Sequence, residues 1–145
     1  MQITLALNLP RDGLSVPVAR RIVDTSMRAV GVAGGVVDDV SLALSEACTN
    51  VLQHSGPGDE YEVTVRLRGH ACSIEVRDLG HGFDHAAFQA QDAASADDES
   101  GRGVALMNVL VDRVDFHAGD GNGNVVVLEK RLDYVDGSLI DRASS

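Results

Sequence analysis

Hydrophobic and polar positions alternate from the start of the chain. Ile3, Leu5, Leu7 and Leu9 take turns with Gln2, Thr4, Ala6 and Asn8, the period of a strand with one buried face. Pro10, Asp12 and Gly13 break the pattern. Val16, Ala19, Ile22, Val23, Met27 and Val30 then recur at helical spacing, with Ser15 and Pro17 marking the start. Gly31, Gly34 and Gly35 interrupt, and a second helix is predicted from about Val36 to Gln53, with Val37, Val40, Leu44, Ala47 and Val51 on one side. Asp38, Asp39 and Ser41 suit its first turn, and Ser55 to Gly58 end it.

The second half returns to alternation. Tyr61, Val63, Val65 and Leu67 read as a strand, Gly69-His70 as a turn, and Cys72, Ile74 and Val76 as the returning strand of a hairpin that ends at Asp78. The segment from Asp84 to Ser100 is rich in Ala, Asp, Gln and Ser and reads as a short helix followed by a polar loop. Val104 to Val111 is a predicted helix. Val114 to His117 and Val125 to Leu132 are a final strand pair, joined through Gly119 to Gly123. Residues 1–135 form one domain, and 136–145 are expected to be a loose polar tail. Runs of strands mixed with runs of helices predict an α/β (α+β) two-layer sandwich. Its sheet is mixed but mostly antiparallel, and helices cover one face.

Composition narrows the functional classes. The 145 residues suit one core, and with 3% aromatic residues and no Trp that core must be aliphatic. The net charge of −10 argues against a binder of nucleic-acid backbones, which needs a basic surface. Cys48 and Cys72 form no metal-type pair and sit in apolar runs, as buried thiols in a reducing compartment would. No stretch reaches the roughly 20 apolar residues of a membrane span, and no secretory leader pattern is visible. A cytoplasmic protein is expected.

Three groups of residues carry candidate chemistry. Glu46, Asn50 and His54 lie at i, i+4 and i+8, on one helix face that drifts about 40° per step. Such a stripe can be a solvated face. It can equally be a metal and proton-transfer site, since an amide oxygen suits Mg²⁺ and a carboxylate one turn away can accept a hydroxyl proton. Asp78-Leu79-Gly80-His81-Gly82-Phe83 is either a Gly-rich turn or a base-binding loop. In the second case the Asp accepts from an exocyclic amine and the glycines admit close approach. Ser100-Gly101-Arg102-Gly103 precedes the predicted third helix and is either a flexible entry or a phosphate site at a helix N-terminus. No G-x-x-x-x-G-K-[ST] is present, and the single lysine, Lys130, falls in a strand; a P-loop is excluded.

In this order and spacing, E-x-x-x-N-x-x-x-H, then D-x-G-x-G-F, then G-x-G at a helix start, the chain resembles the GHKL ATPases of Bergerat fold. The wording of "LSEACTNVLQHS" and "GRGVALMNVLVDRVDF" is most similar to the anti-sigma-factor serine kinase branch. The resemblance implies ATP and Mg²⁺ as cofactors. It assigns Glu46 as general base, Asn50 as Mg²⁺ ligand and Asp78 as adenine reader. Gly80, Gly82 and Phe83 shape the pocket, 84–100 are the lid, and Gly101, Arg102, Gly103 and Val104 lie near the phosphates. His54 is read as structural. It further implies a sigma factor and an anti-anti-sigma (STAS-type) antagonist as partners, and a homodimer. Two positions depart from the family pattern. Asn124 stands where a Thr commonly assists adenine binding, and Glu99 stands where some kinase members carry an Arg. A nucleotide-binding regulatory module without transfer activity is the alternative.

Overall fold

The computed structural model describes residues 1–54, 60–78, 99–118 and 124–139. Eight elements follow in chain order: β1 Gln2–Pro10, α1 Ser15–Ala29, α2 Gly34–His54, β2 Glu60–Arg68, β3 Ala71–Asp78, α3 Glu99–Leu110, β4 Arg113–Ala118 and β5 Asn124–Arg131. The strands form one sheet in the order β1-β2-β3-β5-β4. Every neighbouring pair in it is antiparallel, so the mixed character expected from the sequence is absent among the described strands.

Register turns alternation into a core. Leu5, Val65, Ile74, Leu128 and Val114 are successive partners and make one apolar row across all five strands. Leu7, Val63, Val76, Val126 and Phe116 make the next. The opposite face of the sheet is largely polar, apart from Val125 and Val127 of β5, so chiefly one face needs cover. Ala19, Val23 and Met27 of α1, Val37, Val40, Leu44, Ala47 and Val51 of α2, and Met107 of α3 are buried in the same core cluster. The two-layer sandwich and the helical stripes read from the sequence are thus present. Gly69 takes a φ of 56°, which a two-residue hairpin turn needs and which suits glycine.

The rows at the two ends of the core face are not purely apolar. At one end Leu9 pairs with Tyr61 and Tyr61 with Asp78. At the other, Ile3, Leu67, Cys72 and Lys130 are successive partners. Lys130 lays its stem along the core edge. Its Nζ donates to the Leu110 carbonyl at 2.8 Å and lies 3.6 Å from Asp39 Oδ2. The one lysine is therefore a clamp on the C-terminal end of α3, where a cation complements the helix dipole.

Two expectations shift. Gly34 and Gly35 do not precede α2 but open it, since an initial turn tolerates glycine better than a helix interior does. α3 begins at Glu99, not Val104, so Gly101 and Gly103 lie inside the helix. The end of the domain is docked on the α1–α2 connection: Val135 N–H donates to the Gly31 carbonyl, Tyr134 bridges to Val32, and Ser138 just beyond is buried. A Cβ on Gly31, whose φ is 93°, would lie 2.2 Å from the Ser138 Cβ, so glycine is required there.

Candidate active site between α2, α3 and the sheet end

The stripe on α2 does not face solvent. Asn50 is 5% exposed, and neither its Oδ1 nor its Nδ2 has a hydrogen-bond partner among the described residues. Leaving such an amide unsatisfied costs about 1–3 kcal/mol. One turn earlier, Glu46 is half-buried and its carboxylate lies against α3: a Cβ built on Gly103 would come within 2.7 Å of Glu46 Oε2. The solvated-face reading is therefore set aside for Glu46 and Asn50. His54 ends α2, and its side chain lies outside the described set.

The sheet brings a second pair together. The β3–β5 ladder ends at Arg77 and Val125, so the next positions, Asp78 and Asn124, fall opposite one another at the sheet end. Both are buried, at 4% and 5% exposure, on the side that the helices cover. A carboxylate and an amide side by side can accept from and donate to the polar edge of a purine. Asn124 thus sits where its departure from the family pattern still leaves a polar partner beside Asp78.

α3 contributes its first turn. The N–H groups of a helix's first four residues have no acceptor within the helix, here those from Glu99 to Arg102. Arg102 is exposed, and Val104 is half-buried against the core. Gly101 falls in the open turn; Gly103 falls beyond it and meets Glu46 instead. Gly80, Gly82 and Phe83, with lid positions 84–98, lie outside the described residues.

The donor set fits the expected ion. Among the described residues no three His, Cys, Asp or Glu side chains are gathered as a metal cage. Mg²⁺ commonly takes one or two protein oxygens and completes its shell with phosphates and water. The buried Asn50 Oδ1, with no partner among the described residues, is such a donor.

The antiparallel sheet and its helical layer have the architecture of the GHKL α/β fold. Residues 9–130 match the family described as histidine kinase-like ATPase domain, and the chain belongs to that family. It is similar to the serine-protein kinase RsbW of Halalkalibacterium halodurans, at 29% identity over 92% of this chain and 87% of that protein. It is also similar to the RsbW of Bacillus velezensis, at 25% identity over 97% and 91% of the two chains. The RsbW of Bacillus pumilus is 35% identical over 59% of this chain and 60% of its own. Among solved structures, the RsbU and RsbW domains of a Mycobacterium tuberculosis protein superpose with a TM-score of 0.67 at 19% identity. That match covers 90% of this chain and 32% of the other, and it supports the fold.

Sequence reasoning missed two features of the site. One is the contact of Gly103 with Glu46. The other is the alignment of Asn124 with Asp78, for which the only signal was that both stand at the ends of predicted strands.

Proposed function

We propose that the protein is an ATP-dependent serine/threonine kinase that phosphorylates an anti-anti-sigma (STAS-type) antagonist and doubles as an anti-sigma factor. The similarity to serine-protein kinases named RsbW supports the kinase class. The observation that carries the reading is Asn50, a buried amide without a partner among the described residues, one helical turn from a carboxylate.

In this reading Asp78 and Asn124 hold the adenine edge. The first turn of α3 offers N–H groups to phosphate oxygens. Asn50 Oδ1 holds Mg²⁺, which when bound neutralises phosphate charge. Glu46 accepts the proton of the antagonist's serine hydroxyl as that oxygen attacks the γ-phosphoryl group and ADP leaves. Positioning and charge stabilisation supply most of the rate.

The partner surface has a candidate in α1. Leu14, Val18 and Ile22 stand at i, i+4 and i+8 with exposures of 76%, 50% and 36%, and Arg20 and Arg21 beside them are exposed. Arg28 is otherwise engaged, at 2.8 Å from Asp24 and 2.7 Å from Asp38. A cytoplasmic homodimer completes the proposal. No helix among the described residues is long and apolar enough to cross a membrane.

The test is an ATP–Mg²⁺ titration followed by labelled-phosphate transfer to candidate antagonists. Asp78→Asn should weaken ATP binding by about tenfold or more, as expected for losing a charged acceptor. Glu46→Ala should keep ATP affinity and lower transfer by about 10²–10⁴-fold. No binding heat at millimolar ATP would end the proposal. Binding without transfer by wild type would favour the regulatory module, toward which Glu99 and Asn124 point.

A further inference from the structure

The geometry points to Gly103 as a positioning residue for the Glu46 carboxylate, an inference that rests on the kinase reading above. Gly103 is the fifth residue of α3, past the turn whose N–H groups are open to phosphate. A glycine inside a helix is less favourable than alanine by about 1 kcal/mol, so helix formation gives no reason for it. Space does. Glu46 Oε2 occupies the volume that a side chain would take: a Cβ at 103 would lie 2.7 Å from Oε2 and 3.8 Å from Cδ. No hydrogen bond or ion pair among the described residues fixes the Glu46 carboxylate otherwise. The backbone of α3 at Gly103 is thus the wall against which the base rests. The atom displaced by a methyl group would be the tip of a flexible side chain, so the substitution moves the carboxylate and leaves the helix packing in place.

Gly103→Ala, Gly103→Ala with Glu46→Asp, and Gly13→Ala test this. Gly13 is the control, because a Cβ there meets nothing within 4 Å. Gly103→Ala should lower kcat for transfer by about 100-fold, the scale of a misplaced catalytic group. The Kd for ATP should stay within about threefold, and the melting temperature should be unchanged or higher. The shorter Asp should cost less in the Gly103→Ala background than in wild type, a coupling that a purely structural effect would not give. A second readout does not need activity. The ¹³C carboxyl signal of Glu46, assigned by its loss in Glu46→Gln, should move in Gly103→Ala and stay put in Gly13→Ala, without nucleotide. An unmoved Glu46 signal, or Gly103→Ala losing ATP affinity instead of kcat, overturns the inference. A wild type that never transfers phosphate while the Glu46 signal still moves sinks the kinase reading and leaves the placement of the carboxylate standing.

Discussion

Helix α2 carries two polar side chains two residues apart, and the molecule treats them in opposite ways. Cys48 is fully buried in the core cluster that also holds Tyr61. Tyr61 Oη and Ser15 Oγ lie 2.5 Å apart, and Ser15 Oγ donates to the Asp12 carbonyl at 2.7 Å. Those contacts tie β2 to the start of α1. Asn50, about 200° further round the helix, is just as buried and has no partner among the described residues. A buried polar group costs free energy unless it is hydrogen-bonded. The closed cluster meets that condition within the protein, so it is architecture. The open one does not meet it among the described residues, which is what a ligand site offers. Two equally buried polar residues are told apart by whether their bonding is complete.

The closed cluster, together with the second buried thiol, Cys72 of β3, should show itself at alkaline pH. Burial pushes the Cys48 and Cys72 thiols up to about 12 from the ordinary 9.0, and Tyr61 up to about 12 from 10.0. Below pH 9 the thiols are protonated in both folded and unfolded chains, and stability is fully present. As pH rises from 9 toward 12 the unfolded thiols lose protons that the folded ones keep, so stability falls. The loss approaches about 1.4 kcal/mol per pH unit for each thiol. Urea unfolding at pH 8 and pH 10 should therefore differ by about 3 kcal/mol. A flat profile would mean that the core around both thiols opens readily to water.

The open cluster should respond in the other sense. Asn50→Ala removes an unsatisfied amide and places the best helix former in α2, so the melting temperature of the nucleotide-free protein should hold or rise. Binding of Mg²⁺–ATP should weaken by about 1.5–3 kcal/mol, the range for a bond to a charged group. Differential scanning fluorimetry with and without the nucleotide checks both halves. If Asn50→Ala destabilises the free protein and binds ATP normally, Asn50 belongs with Cys48 as architecture and the contrast disappears.

Sequence reading succeeded where a physical period forces the answer. β1, β2, β3 and β5 alternate because one sheet face is covered. α1 and α2 show helical stripes for the same reason. The α2 stripe and Asp78 were legible as candidates because their spacing is local. The start of α3 was not, because Gly101 and Gly103 look like breakers. Their cost of about 1 kcal/mol each is outweighed by packing that brings the helix onto α2. Nor was the alignment of Asp78 with Asn124 legible, since it depends on a register between strands that the sequence separates by the whole of α3 and β4. The Lys130 clamp was hidden likewise: a lysine in a strand gives no sign that its ammonium will reach the end of a helix.

The smallest expected effect is also the cleanest separation of the two clusters. Tyr61→Phe keeps the ring that fills the core and deletes only the hydroxyl bonded to Ser15. Ser15 Oγ keeps the Asp12 carbonyl as acceptor, so no donor is stranded, and the loss should be about 1 kcal/mol, that of an ordinary net hydrogen bond. Tyr61 is also the strand partner of Asp78, but the hydroxyl is bonded to Ser15 of α1, away from the sheet ladder. ATP affinity should therefore stay within about twofold while the urea midpoint falls with an unchanged slope. An ATP Kd that weakens along with stability would show that the closed cluster holds the sheet end in shape for the nucleotide. Architecture and site would then be one cooperative unit on the two sides of α2.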